Sequence, residues 1–180
     1  MKTDAQKLDD LVRHIDNVRN NCLLLGKKLI EAGQPDMGRK LIALGYVHDQ
    51  SKFHGVEWEY LDPTTTNRIG LKNAVLNHSR TNPHHPEYWG GIDKMPDIYI
   101  AEMVCDWKAR STEFANDLRN WIDTKSLKKF SYAKDSSTYK KIMGYVDMVC
   151  DKPFSEEPTP ATETPATQPS EVIDLMAAGS

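Results

Sequence analysis

The segment KLDDLVRHIDNVRNNCLLLGKKL, residues 7–29, decides the fold. Leu8, Leu11, Val12, Ile15, Val18, Cys22, Leu25 and Leu29 recur at spacings of three and four, so one stripe of a helix faces a core, and Gly33 and Pro35 end it. The same period extends outward along the chain. A second helix is expected from Pro35-Asp36, with Met37, Leu41, Ile42, Leu44 and Tyr46 on its buried side, and it stops at His48-Asp49. A short helix and a loop follow Lys52, and Leu71 to His78 reads as a further helix. TNPHHPEYWGG, residues 81–91, is punctuated by proline and glycine and is expected to be irregular. Met95-Pro96 opens the clearest helix, Asp97 to about Ile122, with Ile100, Met103, Val104, Trp107, Phe114, Leu118 and Trp121 at helical spacing. A last helix covers about Ser136 to Val149. With no period-2 pattern and no repeat, the expected fold is all-α, a bundle of about five to seven helices.

A chain of 180 residues supports one ordinary domain, placed here at residues 1–153. Its net charge of −3 provides no global basic field, so strong binding to duplex nucleic acid or anionic lipid is not expected. Cys22, Cys105 and Cys150 are an odd set without CxxC spacing, which fits a reducing cytoplasm better than a disulfide framework or a zinc ribbon. The N-terminus lacks a signal-peptide core, and no apolar run approaches the roughly 18 to 20 residues that span a bilayer. Residues 154–170, with proline every few positions and no aliphatic larger than alanine, read as a disordered linker. Residues 171–180 carry an apolar island, Val172, Ile173, Leu175 and Met176, which is either a docking peptide for a protein partner or a frayed terminus. Trp58 and Trp121, expected to be exposed, leave self-association open.

Five of the six histidines, all but His54, are placed at helix ends or in the irregular loop. Imidazole nitrogen combined with carboxylate oxygen suits divalent transition metals such as Mn, Fe, Co, Ni and Zn. His48 and Asp49 meet where a helix stops, so they can turn toward one ion despite the step of about 100° between helical neighbours. Asp106, in AEMVCDWKAR, lies among core residues where an unpaired carboxylate is costly; a metal or a salt bridge to Arg110 would resolve the cost. Lys52 is placed either to hold a phosphate as a point charge or to sit solvated at a helix end. Asp10, one turn before His14, either orients that imidazole or is a plain first-turn acid.

His14, His48-Asp49 and Asp106 stand in the order that resembles the HD superfamily of metal-dependent phosphohydrolases. "HDQSK" and the later His78 with "HHPEYWGG" resemble the phosphodiesterase branch with HD-GYP domains. The resemblance implies that His14, His48, Asp49 and Asp106 hold one metal and that Asp49, His78, His84 and His85 hold its neighbour, with Asp49 bridging. There is no GYP tripeptide and the interval from His78 to His84 is short, so a cyclic dinucleotide substrate is not implied. The strings "HDxSKF", "NPHHPEYW" and "EMVCDW" are also similar to those of an uncharacterised family of small phage and bacterial proteins, over about residues 7 to 150; a phage origin would place the protein in the host cytoplasm.

The expected function is hydrolysis of a phosphate ester, with a nucleotide as the leading small-molecule partner. One or two divalent metals would activate water, Asp49 and Asp106 would anchor them, and Lys52 and Arg80 would offset charge in the transition state. Tyr88 and Trp89 either stack on a base or, for Trp89, pack in the core. The competing expectation is a non-catalytic, metal-stabilised module that recruits a partner through its tail; a helical adaptor without metal is a third.

Overall fold

Thr3 starts the first helix three residues before the apolar stripe marks it. Its hydroxyl accepts the Gln6 N–H at 3.2 Å, and the Gln6 side chain accepts the Thr3 N–H at 3.0 Å, a reciprocal cap that satisfies two otherwise orphaned donors. In the computed structural model, which describes residues 2–62 and 64–150, this gives α1 (Asp4–Glu31). Proline at its first turn starts α2 (Pro35–Val47). There follow a 3-10 turn (Gln50–Phe53), α3 (Gly55–Tyr60), α4 (Arg68–Thr81), α5 (Pro86–Trp89) and a 3-10 turn (Ile92–Lys94). The chain continues with α6 (Asp97–Glu113), α7 (Leu118–Trp121), a π turn (Ile122–Ser126), α8 (Leu127–Lys129) and α9 (Ser137–Cys150). Among the described residues there is no strand, and no helix is long and apolar enough to cross a membrane. The expected linker at 154–170 and docking peptide at 171–180 lie outside the described residues.

Helices α1, α2, α6 and α9 enclose the core, and α3 packs on α4 beside them. The buried positions of α1 are His14, Val18, Cys22, Leu25, Gly26 and Leu29, so the core stripe runs without interruption into a histidine. α2 returns along α1 in close contact. A Cβ added at Gly45 would stand 2.8 Å from the Cys22 Cβ, and one at Gly38 would collide with the Gly26 carbonyl. That approach brings the end of α2 against His14.

Three expectations about the helices change. Tyr46 is 63% exposed, because the glycine face of α2 (Gly38, Leu41, Gly45) is the one against α1. The long helix from Asp97 breaks at Phe114. Ala115 takes a left-handed φ of 52°, and the Asp117 carboxylate caps the next helix by accepting the Asn120 N–H at 2.7 Å. Within the stretch read as irregular, proline at the first turn starts the short α5 at Pro86. Trp121 is half-buried against Trp107, ring centroids 4.9 Å apart, and Trp58 is half-buried as well, so neither offers an open aromatic surface.

Candidate metal centre

Helix α2 ends at Val47, His48 is extended (ψ 134°), and Asp49 turns left-handed with φ 58°. Aspartate tolerates this conformation better than most residues, and the reversal is what lets two consecutive side chains face one point. His14 projects from α1, His78 from near the end of α4, His84 and His85 from the link to α5, and Asp106 from the middle of α6. All seven side chains are buried, none more than 2% exposed.

The two Asp49 oxygens face different groups. Oδ2 lies 3.4 Å from both His14 Nε2 and His48 Nε2, while Oδ1 lies 3.3 Å from His78 Nε2 and 3.5 Å from His84 Nε2. Asp106 Oδ1 is 3.2 Å from His14 Nε2 and 4.0 Å from His48 Nε2. Three sets of ligand atoms fall within coordinating range of each other: His14, His48 and Asp49; His48, His84 and Asp106; His78, His84 and His85.

The outward nitrogens are held by acids. His14 Nδ1 is 3.0 Å from Glu113 Oε1, His48 Nδ1 is 3.0 Å from Glu102 Oε1, and His78 Nδ1 is 2.7 Å from Glu57 Oε2. Each carboxylate accepts the Nδ1 proton and so fixes the tautomer that turns an Nε2 lone pair inward. Ser51 and Asn77 donate to Glu57 at 2.9 and 2.7 Å, and Asn17 donates to Glu113 at 3.0 Å, which locks two of these acids.

The inward atoms have no hydrogen-bond partner. They are the Nε2 of His14, His48, His78, His84 and His85, together with Asp49 Oδ1 and both oxygens of Asp106. Lone pairs of nitrogen and carboxylate oxygen that face each other at 3.2 to 3.5 Å, out of reach of water, repel unless a cation stands between them. Protons alone would put several positive imidazoles side by side. Burial, reinforced by His48 beside His84 and by His84 beside His85, holds those two imidazoles well below their ordinary range, so they present neutral nitrogen. Burial would raise Asp106 and Asp49, but the adjoining histidines, with Lys52 beside Asp49, outweigh it and keep both ionised. His84 and His85 as neutral imidazoles, the two carboxylates, and His14 and His48, which the neighbouring carboxylates hold above the ordinary histidine range and which shed a proton on binding, make a donor set that fits a divalent transition metal. These buried clusters can hold a metal ion.

The remaining expected residues separate. Lys52 is buried, its Nζ 2.7 Å from Asp49 Oδ2, and it borders a cavity of about 100 Å³ that reaches His14. Arg80 is exposed; it lies two positions from His78, about 200° around α4, and so points away from the centre. Trp89 packs against the core and donates Nε1–H to the Pro83 carbonyl at 2.8 Å, while Tyr88 is 46% exposed beside it. Neither aromatic borders the cavity; Trp58 does. Asp10 pairs with Lys2 and Arg13 rather than His14, and Arg110 reaches Glu113 at 3.1 Å.

Glu57, Glu102 and Glu113 were not anticipated. A local trace of two of them exists. Glu102, Asp106 and Glu113 fall within about 40° on one side of α6, an acidic stripe buried at Glu102 and Asp106 and half-buried at Glu113. Glu102→Gln is expected to weaken metal binding about 10- to 100-fold, because an amide cannot match the carboxylate's hold on His48 Nδ1–H; competitive titration with a chelating dye measures it.

The sequence model of one family matches residues 3–152, a family of unknown function, DUF5662. No curated protein and no solved structure matches the chain.

Proposed function

The chain belongs to this family of unknown function, DUF5662, and we propose that it is a metal-dependent phosphohydrolase of the HD type, acting on a phosphate ester such as a nucleotide. One observation carries the reading: five buried imidazole nitrogens and two carboxylates converge, with the Lys52 ammonium on one oxygen of Asp49 and no hydrogen-bond partner on the five nitrogens. His14, His48, Asp49 and Asp106 would hold one ion and Asp49, His78, His84 and His85 a second, the two oxygens of Asp49 being divided between them. When bound, such ions supply Lewis-acid activation of water and of a phosphoryl oxygen.

The chain's own residues supply the rest. Lys52, with its ammonium 2.7 Å from Asp49 Oδ2 and bordering the cavity, would meet the phosphate charge there. Arg110, which borders the same cavity, adds a second positive group. Glu57, Glu102 and Glu113 keep three imidazoles in the required tautomer. Burial of the ligands excludes water from everything except the cavity side, which strengthens each of these interactions.

Complete enclosure of the ligands favours one second reading, a closed structural ion in a binding module. A panel assay decides between them. Untagged protein with Mn, Fe, Co, Ni or Zn is expected to release phosphate or nucleoside from nucleotides and simple phosphate esters, and chelation is expected to stop it. Retained metal without any release would leave the structural ion.

A further inference from the structure

Asp62 takes no part in the ligand set, yet it is buried and borders the same cavity. Its Oδ1 is occupied, accepting the Thr64 N–H at 2.8 Å and the Thr64 hydroxyl at 2.9 Å. Its Oδ2 is buried with no donor. The other aspartate bordering the cavity, Asp10, is by contrast neutralised by Lys2 and Arg13. A buried acceptor left open costs more than a satisfied one, so the missing donor is best supplied by what enters the cavity.

The cavity limits what that is. His14 and Lys52 line it, Lys2, Lys7 and Arg110 add positive charge, Asp10 and Glu57 add negative charge, and Trp58 adds an aromatic ring. Its volume of about 100 Å³ lies below the roughly 300 to 1,000 Å³ of sites that enclose a whole small molecule. A phosphoryl group and the first few atoms of its alcohol fit, and any bulk beyond them stays outside. The basic groups of the lining, Lys2, Lys7, Lys52 and Arg110, outnumber its acids, Asp10, Glu57 and Asp62, which favours a neutral donor over an ammonium. A hydroxyl near the ester remains.

We propose that Asp62 is a specificity-determining residue that accepts a hydrogen bond from a substrate hydroxyl, so that the centre selects phosphate esters of hydroxylated alcohols, a class shared by polyol or sugar phosphates and nucleotides. The phosphate end of this inference rests on the phosphohydrolase reading; the hydroxyl end rests on Asp62 alone.

Non-hydrolysable phosphonates separate the two. Calorimetric binding of 3,4-dihydroxybutylphosphonate and of butylphosphonate is measured on the full chain loaded with metal. The dihydroxy compound is expected to bind about tenfold to a hundredfold tighter, the effect of one hydrogen bond to a charged acceptor. In Asp62→Asn the amide oxygen can keep both Thr64 bonds while an NH2 takes the place of the unpartnered Oδ2. The preference should then collapse toward one, with butylphosphonate affinity held within about threefold. A residue that only anchored the turn would shift both ligands together. Equal binding of the two compounds to the unaltered chain overturns the proposal, and that comparison stands even if the variant fails to fold; a preference untouched by the substitution overturns it as well. The phosphonate of a nucleoside 5′-monophosphate, bound with the same Asp62 dependence, assigns the source to nucleotides, and dependence confined to the dihydroxy compound assigns it to polyol phosphates. Asp62-dependent binding with no turnover of any ester would leave this inference standing and remove the hydrolase. Phosphate release indifferent to the hydroxyl would do the reverse.

Discussion

Asp49→Asn is expected to lower phosphate release by about a thousandfold or more while leaving the helical circular dichroism in place. The substitution is nearly isosteric, and asparagine accepts the left-handed φ of 58° as readily as aspartate, so the turn after α2 survives. What is lost is chemical. The two oxygens of Asp49 face both groups of imidazoles, Oδ2 toward His14 and His48, Oδ1 toward His78 and His84. An amide offers one neutral oxygen in place of a carboxylate, so the group of His78, His84 and His85 loses its carboxylate, the group of His14 and His48 keeps Asp106 alone, and the bound metal per chain falls by at least half. Lys52 also loses the charge 2.7 Å from its ammonium, which leaves it free to wander from the phosphate position. Metal content by mass spectrometry and turnover are read on the same sample. Turnover within a few-fold of the unaltered chain would mean that catalysis lies elsewhere.

Removing metal is expected to lower the midpoint of thermal unfolding by about 5 to 16 °C. A ligand present at 100 to 1,000 times its Kd adds about 2.7 to 4.1 kcal/mol to stability, and for a domain near this size each kcal/mol moves the midpoint by about 2 to 4 °C. The physical source is the repulsion described above among unpartnered lone pairs, which a cation relieves and unfolding also relieves. The increment should shrink as pH falls from about 8 to about 5. Burial opposes protonation of His14 and His48, yet Asp106 and Asp49 beside the first and Asp49 and Glu102 beside the second raise both above the ordinary histidine range. Metal must displace those protons, so affinity declines with acid and the decline starts above the usual histidine titration. Scanning calorimetry with and without chelator across that range measures both effects. A midpoint indifferent to chelation would remove the metal from the account.

The helical fold was legible because α1, α2, α6 and α9 each carry an apolar stripe at a period of 3.6, a signal written in neighbouring residues. The break after Glu113 was not, since Phe114, Leu118 and Trp121 continue the stripe in register while the interruption is set by the backbone at Ala115 and the cap at Asp117. Tyr46 was assigned to the wrong side for a related reason. Large apolar residues mark a face only when nothing smaller competes, and here Gly38 and Gly45 admit a whole helix.

The centre was legible to the extent that its candidate ligands are rare residue types in short clusters. His14, His48, Asp49, His78, His84, His85 and Asp106 do gather at one place. Their supporting acids were missed because each pairing crosses the fold. Glu113 is 99 residues from His14 and Glu102 is 54 from His48, and no local pattern joins them. Adjacency along one helix puts Asp10 a turn from His14, but its carboxylate is taken by Lys2 and Arg13.

Diffraction from a crystal of the untagged chain, with data collected on both sides of the metal absorption edge, addresses the central claim directly. The expected result is anomalous density between Asp49 and Asp106 within coordinating distance of His14 and His48, with a second peak, if present, between Asp49 and His78, His84 and His85. A metal-replete crystal with no anomalous density there, or with density only at surface residues, would contradict it.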